Sequence, residues 1–408
     1  MKALTNWNYT PFTRLHERKK EYLPYVCRLA PRLGGFTFEW FDKGDDKKHK
    51  LIVKLRGSVD VVIEKEIIER TVDIDGLIPE QTYEFTVWRA DMSEHSDTRL
   101  VRVGATRGVV INYIHPEDYF CKFSGVCPSS PSLIKLPSGK LLATMDILFG
   151  DSDEKLTPIF ESEDGGESWH YLTELYPCHW GKLFMHRGAL YCIGEGGNKI
   201  VIGRSLDEGK TWSLPTPILI GAKRDWACHK SATPVVEYDG RIYCAVEYGA
   251  WKFLRFYNML ISAPIDSDLL DSNNWSVSEP MHVTPQMLGY DVSDVTGCEG
   301  NAVVLSDGIY NVTRVDPPHN ISDFPTVNKA IVLRGNSKNP DAPLEFHSLI
   351  DLACGLHNKF EIHRTPSGDG YVAVGNEYAE GHRLRSIPLG EIGTVGSAMP
   401  TLPPRSSA

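Results

Sequence analysis

No stretch of this 408-residue chain approaches the ~18 consecutive apolar residues of a membrane-spanning helix. A membrane is therefore not an expected partner. Basic residues do not run together either. The one cluster, Arg18-Lys19-Lys20, is short, and the formal net charge is −10. Phosphate contacts need clustered Lys and Arg, so nucleic acid is not expected. The nine cysteines are odd in number and include no CxxC pair. That pattern excludes a zinc knuckle and a disulfide framework, and no metal or cofactor is expected. Free thiols in a reducing compartment are the simpler reading. The first twenty residues lack the apolar core of a secretory leader. The expectation is a cytoplasmic protein.

What the chain has is punctuation. With 35 glycines, 26 prolines and 10% aromatic residues, many short strands joined by turns are expected in place of long helices. The length allows two or three domains. After a short N-terminal segment, 1–23, residues 24–107 alternate as strands, for example Phe36-Thr37-Phe38-Glu39-Trp40 and Leu51-Ile52-Val53-Lys54-Leu55. The segment Leu77-Ile78-Pro79-Glu80-Gln81-Thr82-Tyr83 precedes another alternating run. It resembles the fibronectin type III signature. That resemblance implies a β-sandwich in which the Tyr83 hydroxyl bonds back to nearby backbone and Trp40 fills the core.

The second part carries a repeat. Ser162-Glu163-Asp164-Gly165-Gly166-Glu167-Ser168-Trp169 and Ser205-Leu206-Asp207-Glu208-Gly209-Lys210-Thr211-Trp212 share one pattern, separated by about 40 residues, the size of a propeller blade. A weaker version runs from Asp268 to Trp275. These octapeptides resemble the Asp-box (BNR) repeats of the sialidase family. The resemblance implies a β-propeller over 108–380, a carbohydrate substrate and a hydrolase, with Asp164 and Asp207 structural. The fold class expected is thus all-β: a fibronectin type III-like sandwich followed by a sialidase-like propeller. About five blades are visible, with six or a truncated ring left open. Gly108 to Phe120 is a candidate closing strand, and 381–408 reads as an irregular tail.

A second regularity points to a site. Blades open with an apolar strand, a glycine turn and a returning strand. Seven residues after the turn glycines Gly139, Gly188, Gly240 and Gly370 stand Asp146, Glu195, Glu247 and Glu377; six after Gly308 stands Arg314. In a propeller, the end of the second strand and the start of the first share one face. Those starts are polar too: His179-Trp180-Gly181-Lys182, His229-Lys230-Ser231, Glu299-Gly300-Asn301 and His357-Asn358-Lys359.

Crowded carboxylates push one another's pKa values apart, which makes an acid and a base from one residue type. Paired carboxylates cleave glycosidic bonds. The expected catalytic set is Glu247, Glu195, His229, Asp146 and Glu377. Arg314, Lys230, Lys182, His179, Glu299, His357, Lys359 and Tyr248 are expected to bind substrate. The basic members favour an acidic, uronic glycan. The sialidase pattern opens its first blade with an arginine. Here the matching stretch, Cys127-Pro128-Ser129-Ser130-Pro131, has none, so ordinary sialosides are not expected substrates. Two alternatives stay open: a lyase acting on uronates with a histidine base, and a glycan-binding propeller without turnover.

Overall fold

The computed structural model describes residues 23–42, 48–118, 125–149, 156–221, 226–250, 255–289, 294–316, 329–352, 359–368, 370–379, 382–386 and 390–392. Nearly all of the regular structure is strand. The described helices are one turn, Pro285–Leu288, and a 3-10 turn, Ser272–Asn274. None is long and apolar enough to cross a membrane. The fold class is all-β, a sandwich followed by propeller blades. The chain divides into two compact units, residues 1–197 with 201–215, and 198–200 with 216–408.

The first unit begins with two antiparallel sheets. One orders Tyr25–Arg32, Gly35–Phe41 and Thr71–Ile74; the other orders Val61–Ile67, His49–Leu55, Thr82–Arg89 and Arg99–Arg102. Alternation turns Phe36, Phe38 and Trp40 of one sheet onto Leu51, Val53, Phe85 and Val87 of the other. The Phe85 ring lies 4.9 Å from Phe36 and 5.1 Å from Phe38. Tyr83 is buried, and its hydroxyl accepts the Ile78 N–H at 3.0 Å, the back-bond the sequence led us to expect.

Residues 108–118 form no strand, which corrects the expected closing role of this segment. Its polar groups are taken up by the sandwich. Arg28 Nε donates to the Ile111 carbonyl at 2.7 Å, and the Tyr113 N–H donates to the Leu29 carbonyl at 2.7 Å. Arg99 Nε, buried, donates to Asp118 at 2.9 Å. The sandwich is also fastened to the sheet that follows. The buried Glu39 carboxylate accepts the Tyr171 N–H at 2.8 Å and pairs with Arg28 and His170, each at 3.1 Å.

That sheet is a four-stranded meander: Gly125–Lys135, Leu141–Phe149, Thr157–Ser162 and His170–Leu175. His179–His186, Ala189–Glu195 and Lys199–Ser205 start the next. The two octapeptides make matching turns in this unit. Ser162 and Ser205 donate to Asp164 and Asp207, each at 2.8 Å; the two aspartates also accept the N–H and hydroxyl of Ser168 and Thr211. Trp169 and Trp212 close the turns by donating indole N–H to the Gly166 and Gly209 carbonyls. Both glycines have positive φ, 100° and 90°, where a side chain is strained.

The second unit opens with Thr216–Ile220. A sheet follows from Ala227–His229, Val236–Tyr238, Arg241–Ala250, Arg255–Pro264, Ser276–Val277 and Met281–His282. Thr296–Leu305, Gly308–Asp316, Lys329–Arg334 and Glu345–Asp351 form the next meander. In the last, Phe360–Arg364 pairs with Tyr371–Ala379, which also pairs with His382–Ser386 and Gly390–Ile392. The tail expected to be irregular from 381 thus supplies two strands. They cover the edge that Tyr371–Ala379 would otherwise leave unpaired. Two hairpins are tight: Arg187-Gly188 and Asp239-Gly240 both have positive φ, the two-residue turn that fits the twist of paired strands.

Candidate active site on the inner strands

Strand register explains the offset from the turn glycines. Asp146 lies opposite Ser129 and Glu195 opposite His179 in the first unit. In the second unit Glu247 lies opposite His229, and Arg314 opposite Cys298. Each charge therefore stands where the second strand comes back to the start of the first. Of Glu377 the backbone alone is described, two residues beyond Gly375, which pairs with Phe360. His357 lies outside the described residues. Asp146 and Glu195 thus lie in the first unit, and Glu247 and Arg314 in the second.

In the first unit Asp146 is fully buried and both its oxygens are engaged. Oδ1 accepts the Thr157 hydroxyl and Oδ2 accepts the Trp180 N–H, each at 2.7 Å. Trp180 sits in a bulge with φ of 52°, which turns its N–H toward Asp146. The His179 ring stacks on Trp180 at 4.0 Å. Lys182 and Glu195 are buried in the same hairpin.

The second unit repeats this construction with a different outcome. Glu299 occupies a matching bulge with φ of 56°, and the next N–H, that of Gly300, donates to Glu247 Oε1 at 2.7 Å. Gly300 is required there: a Cβ would come 2.1 Å from Asn311 Oδ1. The Thr233 hydroxyl donates to the Gly300 carbonyl at 2.8 Å and fixes the peptide from its other side. Glu247 Oε2 is buried and accepts from no described residue. Burial, assisted by the charge of Glu299, pushes the Glu247 carboxyl up to about 8 against the opposing Gly300 N–H, Lys230 and Arg314.

Glu299 is the cation-held partner. Its Oε2 pairs with Arg314 Nε at 3.0 Å and its Oε1 with Lys359 Nζ at 2.7 Å. Arg314 also pairs with Asp316 at 3.1 Å. Burial works against the Arg314 charge, and Glu299 and Asp316 more than restore it. Lys230, wholly buried, donates to the Ser231 carbonyl. The second unit therefore brings together Glu247, Glu299, Arg314, Lys230 and Lys359 of the expected set, with His229 opposite Glu247. Tyr248 faces the other side of the strand, 6.1 Å from Trp226.

Sequence reasoning missed Asp316, Gly300 and Thr233. Asp316, two residues after Arg314 on the same strand face, was the only one with a readable signal. Gly300 and Thr233 act through backbone bonds that no spacing shows. Among the described residues no group of His, Cys, Asp and Glu is placed to hold a metal ion.

No family model matches the chain, and no curated protein matches it in sequence. Solved structures do resemble it. An α-L-arabinanase of Penicillium chrysogenum is 15% identical over 65% of this chain and 93% of its own, with a TM-score of 0.37. An α-L-arabinofuranosidase of Fusarium graminearum is 12% identical over 95% and 98%, with a TM-score of 0.45. A variant of the NanB sialidase of Streptococcus pneumoniae is 11% identical over 91% and 68%, with a TM-score of 0.41.

Proposed function

We propose that this chain is a glycoside hydrolase whose acid is Glu247 and whose second carboxylate is Glu299. One observation carries the reading: a fully buried carboxyl, one oxygen of which accepts from no described residue, stands beside a carboxylate held by two cations. Environments that separate two carboxyl groups in this way assign acid and base between them. Glu247 would give its proton to the leaving-group oxygen. Glu299, paired with Arg314 and Lys359, would serve the sugar carbon, as nucleophile or through a water. His229 is the alternative base. In the first unit Asp146 has no oxygen to spare, and we assign it to holding neighbouring blades together. Glu195 and Glu377 stay candidates by register alone.

The choice of substrate follows from the cations. An acidic glycan needs a basic group to meet its carboxylate. Arg314 and Lys359 already face Glu299 and Asp316, so a neutral glycan ranks first and a uronic one second. A lyase, which needs the same cation for the uronate, ranks below both. The bonded octapeptide turns support Asp-box repeats of the sialidase-like kind. The Tyr83 back-bond and the strand order support a fibronectin type III-like sandwich over 24–107, with the blades after it.

The test is a panel of neutral and uronic oligosaccharides, read for new reducing ends and for ultraviolet absorbance. Reducing ends without absorbance, lost in Glu247→Gln, are the expected result. An absorbing unsaturated product would establish the lyase. Binding without turnover across the panel would leave the glycan-binding alternative.

A further inference from the structure

The two inner-strand carboxylates differ at the residue beside them. Asp146 has Thr157 on the adjacent strand, and Thr157 donates to it. At the same register Glu247 has Asn258. Directly paired residues share a face of the sheet with Cβ atoms about 5 Å apart. Asn258 is fully buried, and its amide hydrogens go elsewhere, to the Gly297 carbonyl at 3.3 Å and the Thr313 hydroxyl at 3.4 Å. Asn258 Oδ1 lies close to Gly297, where a Cβ would come 2.4 Å from it. Its oxygen and Glu247 Oε2 are thus two buried acceptors on one face, and neither receives a hydrogen bond from a described residue.

Leaving two buried acceptors unmet is unfavourable, because each has lost its water and gained nothing in return. One added proton satisfies both. We propose that Asn258 is a positioning residue that receives the hydrogen of the protonated Glu247 carboxyl and so holds the proton on Oε2. The inference rests on Glu247 being the acid of the proposed hydrolase. In the reaction the Glu247 O–H bond breaks and a new O–H bond forms on the glycosidic oxygen. That oxygen takes the electron pair of the broken C–O bond, and Glu247 is left as the carboxylate. Asn258 keeps the proton at the oxygen not tied to Gly300.

Among the described residues, His229 pairs with Glu247 across the strands, and Lys230, Cys298, Glu299 and Arg314 act on its charge. They are the same in every Asn258 variant, so a change in titration reports on Asn258. Asn258→Thr puts a hydroxyl donor where Thr157 has one, and Asn258→Leu removes the acceptor.

The full chain, labelled with 13C at glutamate side-chain carboxyls, is titrated by NMR, with Glu247→Gln identifying the Glu247 signal. The wild type is expected to stay protonated through pH 7. In Asn258→Thr the midpoint is expected to fall by more than about one pH unit. In Asn258→Leu a smaller fall is expected. If Asn258→Thr does not fold, Asn258→Ser supplies the hydroxyl with less bulk. An ionised wild-type Glu247 at neutral pH overturns the proposal, as do unchanged midpoints in the folded variants. The titration needs no substrate. A shifted midpoint in a chain that cleaves no glycan would sink the hydrolase and keep Asn258's role; an unshifted midpoint in an active hydrolase would do the reverse.

Discussion

Asp146 and Glu247 are built alike and end differently. Each stands seven residues after a turn glycine, and each accepts a backbone N–H from a bulge in the next inner strand. A threonine then closes the second oxygen of Asp146, whereas an asparagine leaves that of Glu247 open. The lesson is that the recurring carboxylate has a structural job first, bonding one blade to the next. In the function proposed above, the reactive group arises where one bond of that job is left unmade. Position in the repeat therefore does not identify an acid; the count of bonds on each oxygen does.

The sharpest way to break this comparison is to neutralise both residues. Glu247→Gln keeps an acceptor for Gly300 and offers an N–H to Asn258, so folding is expected to survive. Turnover is expected to fall by roughly a hundredfold or more, the usual share of a general acid. Asp146→Asn is expected to keep far more of its activity per folded molecule. Equal losses in steady-state assays on the two purified variants would erase the distinction.

Stability should separate them in the opposite direction. Asp146→Ala strands the buried Trp180 N–H and leaves Thr157 to its remaining bond with the Cys178 carbonyl. A loss of about 3 kcal/mol is expected, read from chemical denaturation. Glu247→Gln should lose much less. A larger loss in Glu247→Gln would mean that Glu247, not Asp146, is the principal clip.

The pH dependence of stability gives a further separation. The native Glu247 carboxyl, at about 8, lies above its ordinary value of 4.5. Between those values the folded chain keeps a proton that the unfolded chain has released. Stability from this group is whole below about 4.5 and is lost as the pH rises toward about 8. Glu247→Gln should flatten that slope, and Asp146→Asn should leave it. Melting temperatures of the three proteins between pH 5 and 8 decide the matter; parallel curves would contradict the burial argument.

Much of this was legible in the sequence, and the reasons are local. The octapeptide turns bond through side chains within eight residues, and Tyr83 bonds only five residues back, so their patterns show in the order of residues. The glycine offset located Asp146 and Glu247 because antiparallel register converts spacing into position. Register also hid the rest. Asn258 meets Glu247 across a strand pair, and Glu299 takes Arg314 from its neighbouring strand and Lys359 from just before the strand Phe360–Arg364. Arg314 read as an anion receptor, although the i, i+2 spacing that sets Asp316 on the same strand face was the sign that its charge is already met. Gly108 to Phe120 read as a closing strand on the run Val109-Val110-Ile111-Asn112-Tyr113-Ile114; the partners of Ile111 and Tyr113, Arg28 and Leu29, lie far earlier in the chain.

The outer turns supply the smallest expected effect and the control for all the others. Asp164 is exposed, and hydrogen bonds from Ser168 and Ser162 hold its carboxyl well below the ordinary range. Asp207 is more enclosed. Burial there pushes its carboxyl up, and the bonds from Thr211 and Ser205 outweigh it. In both, the charge is spent within its own turn, so replacing it should loosen that turn and reach nothing else. Asp164→Ala and Asp207→Ala are each expected to lower the melting temperature by a few degrees, the scale of one lost turn in a chain of this size. The Asp207 variant should lose more, because its turn packs Gly209 against Leu142, Leu172 and Leu190. The pH profile of turnover, which the proposed function assigns to Glu247, should not move in either. A displaced profile in Asp164→Ala would mean that the outer turns and the inner strands are coupled, and that a carboxylate's bonds within its own blade do not suffice to assign its role.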